Sequence, residues 1–218
     1  MNIKRYIATI ILAIVLLLNF SCTDWLDVKP VDRMSEDQLY STEAGFRQAL
    51  NGIYVELNHA DLYGDELLVN TVEILAQRYK FSSMGTLTNQ YHLAEFDYTT
   101  DYAKKCGSRI WEKAYALIAN VNKLLKNADS HKDLFTGDSY DLITGEAYAL
   151  RAFLHFDLLR LFGPVYKTHK EDKSICYNTQ FSLSGSDLLP ASKVMEYVIA
   201  DLKEAEDRLA KDPIIEEG

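Results

Sequence analysis

The stretch Gly145 to Val165, GEAYALRAFLHFDLLRLFGPV, constrains the fold more than any other part of the chain. Ala147, Leu150, Leu154, Leu158 and Leu161 recur at three- and four-residue steps, which places them on one face of an α-helix. Phe153 and Phe156 widen that face beyond a narrow seam. A helix apolar over so much of its circumference packs on two sides, as an inner helix of an all-helical stack. Each fully buried Leu or Phe contributes roughly 1.5–3 kcal/mol, so burial outweighs local propensity here. The helix is expected to stop at Gly163, free to take the left-handed position after the last turn, and at Pro164, which cannot continue the ladder.

The rest of the chain repeats the helical period. Ser35 with Gln38 has the form of a capping box, and Phe46, Leu50, Ile53 and Leu57 predict a second helix from Ser41 or Thr42. Leu68, Val72, Leu75 and Tyr79 predict a third over Asp65 to Tyr79. Trp111, Ala114, Ile118, Val121 and Leu125 predict a fourth over Arg109 to Ala128, and Met195, Val198, Leu202, Ala205 and Leu209 a last one over Ser192 to Leu209. Phe81 to Asp101 holds no sustained helical period. Ser82 to Thr86 reads as a loop, and the spacing of Tyr91, Leu93, Phe96 and Tyr98 fits a short strand or an aromatic-rich loop. Tyr166 to Pro190 reads as polar and irregular, with Lys167 to Lys173 a solvated charge run. Ten Gly and four Pro argue against a many-turned β protein, and 48% hydrophobic residues exclude a disordered chain.

The amino terminus carries a different signal. Lys4 and Arg5 precede an apolar run from Ile7 to Leu18, which falls short of the roughly 20 residues a membrane span needs and reads as an export signal over residues 1–21. Ser21 directly before Cys22 resembles a bacterial lipobox, so Cys22 is expected to become the lipidated first residue of the mature protein. Anchoring by several acyl chains is stable. Removing residues 1–21 takes away Lys4 and Arg5 and no acid, so the net charge moves from −9 to −11. An acidic body gains nothing from an anionic membrane surface, and it excludes nucleic acid as a partner, which needs a basic face. Cys106 and Cys176 are expected to remain free thiols.

The inner helix also carries a family resemblance. Glu146-Ala147, Leu150-Arg151-Ala152-Phe153, Phe156-Asp157-Leu158 and Arg160-Leu161-Phe162-Gly163 resemble the signature of the SusD/RagB family of lipid-anchored nutrient-binding proteins of Bacteroidota. Asp24 to Val28 with Pro30 resembles the opening of mature members, and Ala49 to Tyr54 is similar as well. Trp111, Tyr115, Ile118 and Asn122 resemble the opening of the first tetratricopeptide-like helix pair, and Tyr197, Ile199, Asp201-Leu202 and Ala205 the next helix. The implied fold is all-α, a tetratricopeptide-like helical repeat stack with irregular loops. The implied organisation is a lipoprotein signal peptide over 1–21, a lipidated tether over 22–34 and a SusD-like amino-terminal helical domain over 35–218, expected to be incomplete at its carboxyl end because members are much longer.

The resemblance implies a cell-surface lipoprotein of the outer membrane that faces the exterior, binds a glycan and passes it to a SusC-like TonB-dependent transporter. Loops on a rigid helical frame carry binding residues, and aromatic platforms on such loops make Tyr91 and Tyr98 the candidate ligand-binding residues. Uptake of peptides by the same machinery, or a helical-repeat scaffold without ligand capture, are the other readings left open. No enzyme is expected. The five His are scattered without ligand spacing, and the sequence holds no nucleophile elbow, phosphate loop or dinucleotide fingerprint, so no catalytic residue, metal or cofactor is assigned. Glu146, Arg151, His155, Asp157 and Arg160 are expected to pair locally or with a neighbouring helix.

Overall fold

A computed structural model of the protein describes residues 35–81, 88–181, 186–210 and 212. The export signal, Cys22, the tether, the Ser82–Thr86 loop and Pro213 to Ile215 lie outside the described residues. Among the described residues every regular element is helical, and the nearest approach to a strand is an isolated antiparallel bridge between Lys173 and Pro190. No described helix is long and apolar enough to cross a membrane.

A single turn, α1 (Glu36–Leu39), leads into α2 (Glu43–Leu57). The α2 helix starts where expected, because Thr42 Oγ1 accepts the Gly45 N–H at 3.1 Å and so satisfies one of the free amides of the first turn. Two longer helices follow. Thr100 caps α5 (Asp101–Ser130) by accepting the Ala103 N–H, and the helix therefore begins eight residues before the expected Arg109. α6 (Ser139–Phe162) contains the inner-helix stretch and starts ahead of it. Gly107 of α5 lies opposite Phe162, while Val121 to Ala128 share an apolar cluster with Ile143, Ala147 and Leu150, so the two helices run antiparallel. α8 (Ala191–Leu209) covers the other side of α6, again antiparallel, with Leu209 against Gly145 and Asp201 against Arg151. α6 thus sits between α5, α8 and α2, the inner position its sequence predicts.

Several expectations need correction. Gly163 does not take the left-handed conformation: its φ of −82° and ψ of 169° are extended. Pro164 is the reason, since the residue before a proline is driven out of the helical region. Phe153 does not widen the buried face of α6; it is 44% exposed and stacks on Tyr63 at 5.1 Å. The inward row of α8 is Val194, Val198, Asp201 and Ala205, and Leu202 points outward, because Asp201 turns in to meet Arg151. The third helix is only α3 (Thr71–Leu75). Before it, the Asp65 carbonyl accepts the N–H groups of Leu68, Val69 and Asn70, which winds residues 58–70 into successive turns. After it, Gln77 adopts a φ of 59°, and the helix cannot reach Tyr79. Neither a strand nor a plain loop forms around Tyr91: Thr88–Ala94 is a helix, α4, that buries Leu93 and Ala94 against Ile74 and Ala103. Between α6 and α8 lie a short helix, α7 (Tyr166–His169), the exposed run through Lys173, and an extended strap whose residues 174–177 are buried.

Candidate functional site

Beside the closed α5–α6–α8 pack, the first turns of α5 form one wall of an open cleft of about 570 Å³. Lys104, Ser108 and Glu112 recur every four residues, so they form one row along roughly 12 Å of helix. Gly107 and Trp111 lie in the adjacent row. The facing wall comes from Leu75 of α3, Leu93 of α4 and Tyr98 of the α4–α5 connection, and Leu161 and Phe162 close one end. Lys104, Ser108, Glu112 and Tyr98 are exposed and define the mouth, whereas Leu93, Ala103 and Ile110 are buried and define the base. The Trp111 ring meets Phe162 edge-on at 5.2 Å and Tyr115 at 4.9 Å, which fixes its orientation.

Tyr98, 58% exposed, is brought to this cleft. Tyr91 is not among the lining residues; it is half-buried on α4, its ring edge-on to His92 at 5.7 Å. The back of the cleft is held by a buried carboxylate. Glu66, 1% exposed, accepts the Thr71 hydroxyl at 2.5 Å and pairs with the Arg109 guanidinium, which lies 3.6 Å from Asp61 as well. This joins the 58–70 turns, and through Thr71 the start of α3, to α5.

The polar residues of α6 serve packing. Arg151 donates through Nε and Nη2 to both oxygens of Asp201, at 2.6 and 2.7 Å, and through Nη1 to Asn122 Oδ1 at 2.9 Å. Tyr177 of the strap donates to Asp201 at 2.5 Å, Tyr115 to the Cys176 carbonyl at 2.8 Å, and Asn122 Nδ2 to the Asn178 carbonyl at 2.9 Å. His155, fully buried, bonds the Arg151 carbonyl through Nδ1 at 2.8 Å and accepts the Asn178 N–H at Nε2. Its ring stacks on Tyr177 at 3.9 Å. Burial pushes the His155 pKa down to about 4, so the ring is neutral, and burial with the Asp201 charge raises the Tyr177 phenol well above its ordinary value. Burial opposes the Arg151 charge, yet Asp201 more than offsets it and the guanidinium stays charged. Each side chain in this network has its partners, which is the arrangement of a structural lock. Glu146 accepts the Tyr54 hydroxyl and Asp157 that of Tyr63, both at 2.7 Å, and Arg160 lies 3.5 Å from Asp157, so these charges pair locally and with neighbouring elements as expected.

The sequence reading missed the cleft and the Arg151–Asp201 pair. Gly107, a glycine inside a helical stretch, was a signal for the first; for the second, Leu154 near Arg151 and Val198 and Ala205 near Asp201 put each charge beside a buried row without naming its partner. Cys106 and Cys176 are free and buried. Among the described residues no group of three or more His, Cys, Asp or Glu is placed to hold a metal ion.

The described residues thus form an all-α stack of antiparallel helices with an aromatic-edged cleft, the architecture of a helical-repeat protein. Residues 24–214 match the SusD-like family model described as starch-binding, associating with the outer membrane, and the chain belongs to this family. It is 27% identical over 208 residues to SusD-like protein P2 of Formosa agariphila, covering 94% of this chain and 38% of that one. It is 27% identical over 148 residues to SusD-like protein P25 of the same organism, covering 66% and 28%. Among solved structures, a SusD-like carbohydrate binding protein from Bacteroides vulgatus superposes with a TM-score of 0.65 at 21% identity, over 78% of this chain and 36% of that one. A SusD superfamily protein from Bacteroides fragilis gives 0.63 at 18% identity, over 76% and 39%. At these identities the structures establish the fold. The chain spans about a third of the length of the relatives it matches.

Proposed function

We propose that this chain belongs to a cell-surface lipoprotein that captures glycans and passes them, uncleaved, to a SusC-like TonB-dependent transporter of the outer membrane. The observation that carries the reading is the family match over residues 24–214. The cleft supports it, because an exposed Tyr beside a row of ammonium, hydroxyl and carboxylate groups offers both a stacking face and hydrogen-bond partners for sugar hydroxyls. In this reading residues 1–21 export the protein, Cys22 carries the lipid, residues 22–34 tether it, and residues 35–218 form the helical domain. Tyr98 is the leading platform and Tyr91 the second candidate.

Direct binding to an oligosaccharide panel tests the reading. A ligand should emerge, and Tyr98→Ala should weaken it about 5- to 10-fold, the loss of one aromatic contact on the order of 1 kcal/mol. Unchanged affinity in both Tyr98→Ala and Tyr91→Ala would remove these residues from the site. Labelling by a palmitate analogue should disappear in Cys22→Ser, and a tagged protein should co-purify an outer-membrane barrel. A panel without a single ligand would overturn glycan capture and leave peptide uptake or the scaffold reading in its place.

A further inference from the structure

The cleft is unevenly built for a sugar, and the unevenness carries information. All of its exposed hydrogen-bonding side chains stand at the mouth: Lys104, Ser108 and Glu112 on α5 and Tyr98 opposite. The base is apolar, formed by Leu93 at 2% and Ile110 at 1% exposure with Leu75 and Leu161 beside them. Among the described lining residues the polar side chain at that depth, Thr71, already donates its hydroxyl proton to Glu66. A sugar hydroxyl pushed to the base would lose its water and find no acceptor in exchange. An apolar substituent there would gain contact instead.

Gly107 adds an independent observation. Glycine weakens a helix interior relative to alanine, yet a Cβ at this position would meet only Phe162 Cε1, at an ordinary 3.6 Å. Packing between helices therefore does not require a glycine. What its missing side chain does provide is depth between the Lys104–Ser108 row and the Phe162 end of the cleft.

We infer that this cleft takes a sugar bearing an acetyl group, as an N-acetyl or O-acetyl substituent, with the methyl in the apolar base and the ring hydroxyls on the Lys104–Ser108–Glu112 row. The inference rests on the carbohydrate reading and narrows it. The volume suits one or two sugar residues rather than a long chain, which would extend out along the mouth past Tyr98.

Two matched pairs of probes test it by titration calorimetry: cellobiose against N,N′-diacetylchitobiose, and xylobiose against its O-acetylated form. The acetylated member of at least one pair should bind tenfold or more tightly. That preference should vanish in Gly107→Leu, whose side chain fills the cleft. Saturation-transfer NMR on the wild type should find the strongest transfer at the acetyl methyl, which decides the matter if Gly107→Leu melts early. Affinities within twofold in both pairs overturn the acetyl inference and leave the carbohydrate reading standing. A preference retained in a well-folded Gly107→Leu overturns the placement. Silence of all four sugars overturns the inference, and binding of N-acetylated peptides alongside that silence overturns the carbohydrate reading with it.

Discussion

The two ends of α5 live in different surroundings. From Ala114 to Ala128 its inward residues are nearly sealed, and Asn122 is tied into the Arg151–Asp201 network that also fastens the strap. From Lys104 to Glu112 the same helix faces a cleft with exposed side chains and helices of one or two turns opposite. In the proposed reading, binding surface and stability are weighted toward opposite ends of one rigid element. The sealed end sets the register of three helices, while the open end is anchored by Ile110 and the Glu66–Arg109 pair and leaves the Lys104–Ser108–Glu112 row exposed.

The largest break in that contrast should come from Arg151→Ala. It leaves Asp201 buried and charged with only Tyr177 beside it, at a cost of about 3–5 kcal/mol in urea unfolding. Replacing the pair together, Arg151→Met with Asp201→Leu, should recover much of the loss, since apolar side chains of similar volume need no matching charge. Glu112→Ala at the cleft mouth should change stability by no more than about 0.5 kcal/mol. Equal losses at the two ends would dissolve the distinction.

His155 gives a second probe, read by pH. Its pKa falls from the ordinary 6.5 to about 4, first through burial and further through the Arg151 charge. The unfolded chain therefore binds the extra proton between those two values, and stability must fall as pH drops from about 6.5 toward 4. The span is roughly 2–4 kcal/mol, complete below the folded value and absent above the unfolded one. Charging the ring also turns Nε2 from an acceptor into a donor facing the Asn178 N–H. Unfolding free energies measured from pH 7 to 4.5 should lose this component in His155→Leu. A wild type no more acid-sensitive than that variant would mean the ring is reachable by water.

How much of this was legible depends on how far apart the interacting residues lie. The four major helices announce themselves because burial is dictated within a turn: Phe46, Leu50 and Ile53, or Ala114, Ile118 and Val121, need only their own spacing to be read. The inner position of α6 was also legible, although Ala152 and Leu159 rather than Phe153 supply the width of its buried face. The cleft side resisted because its structure is set by long-range contacts. Glu66 finds Arg109 across 43 residues, a contact that no local spacing announces. The α4 helix is short enough that burial of Leu93 and Ala94 on Ile74 and Ala103, not periodicity, decides it. Arg151 and Asp201 are 50 residues apart, and nothing in either segment names the other.

Two helix glycines sharpen the comparison with smaller effects of opposite sign. At Gly145 a Cβ would fall 2.8 Å from Leu209 Cγ and 3.0 Å from Arg208 Cβ, so α6 and α8 approach too closely for any side chain. Gly145→Ala should cost about 1–2 kcal/mol, the overpacking exceeding the gain in helix propensity. At Gly107 the same substitution meets open space and an ordinary contact with Phe162. The helix propensity gain then stands alone, and Gly107→Ala should stabilise the protein by about 0.5–1 kcal/mol. Thermal and urea unfolding of the two variants side by side provide the measurement. Because both changes add one methyl group to a helix, local propensity cancels in the difference and the remainder reports the space in front of each residue. A Gly107→Ala variant that loses stability would show that the cleft wall is as tightly fitted as the sealed end of α5, and the separation of recognition from stability along this helix would fail.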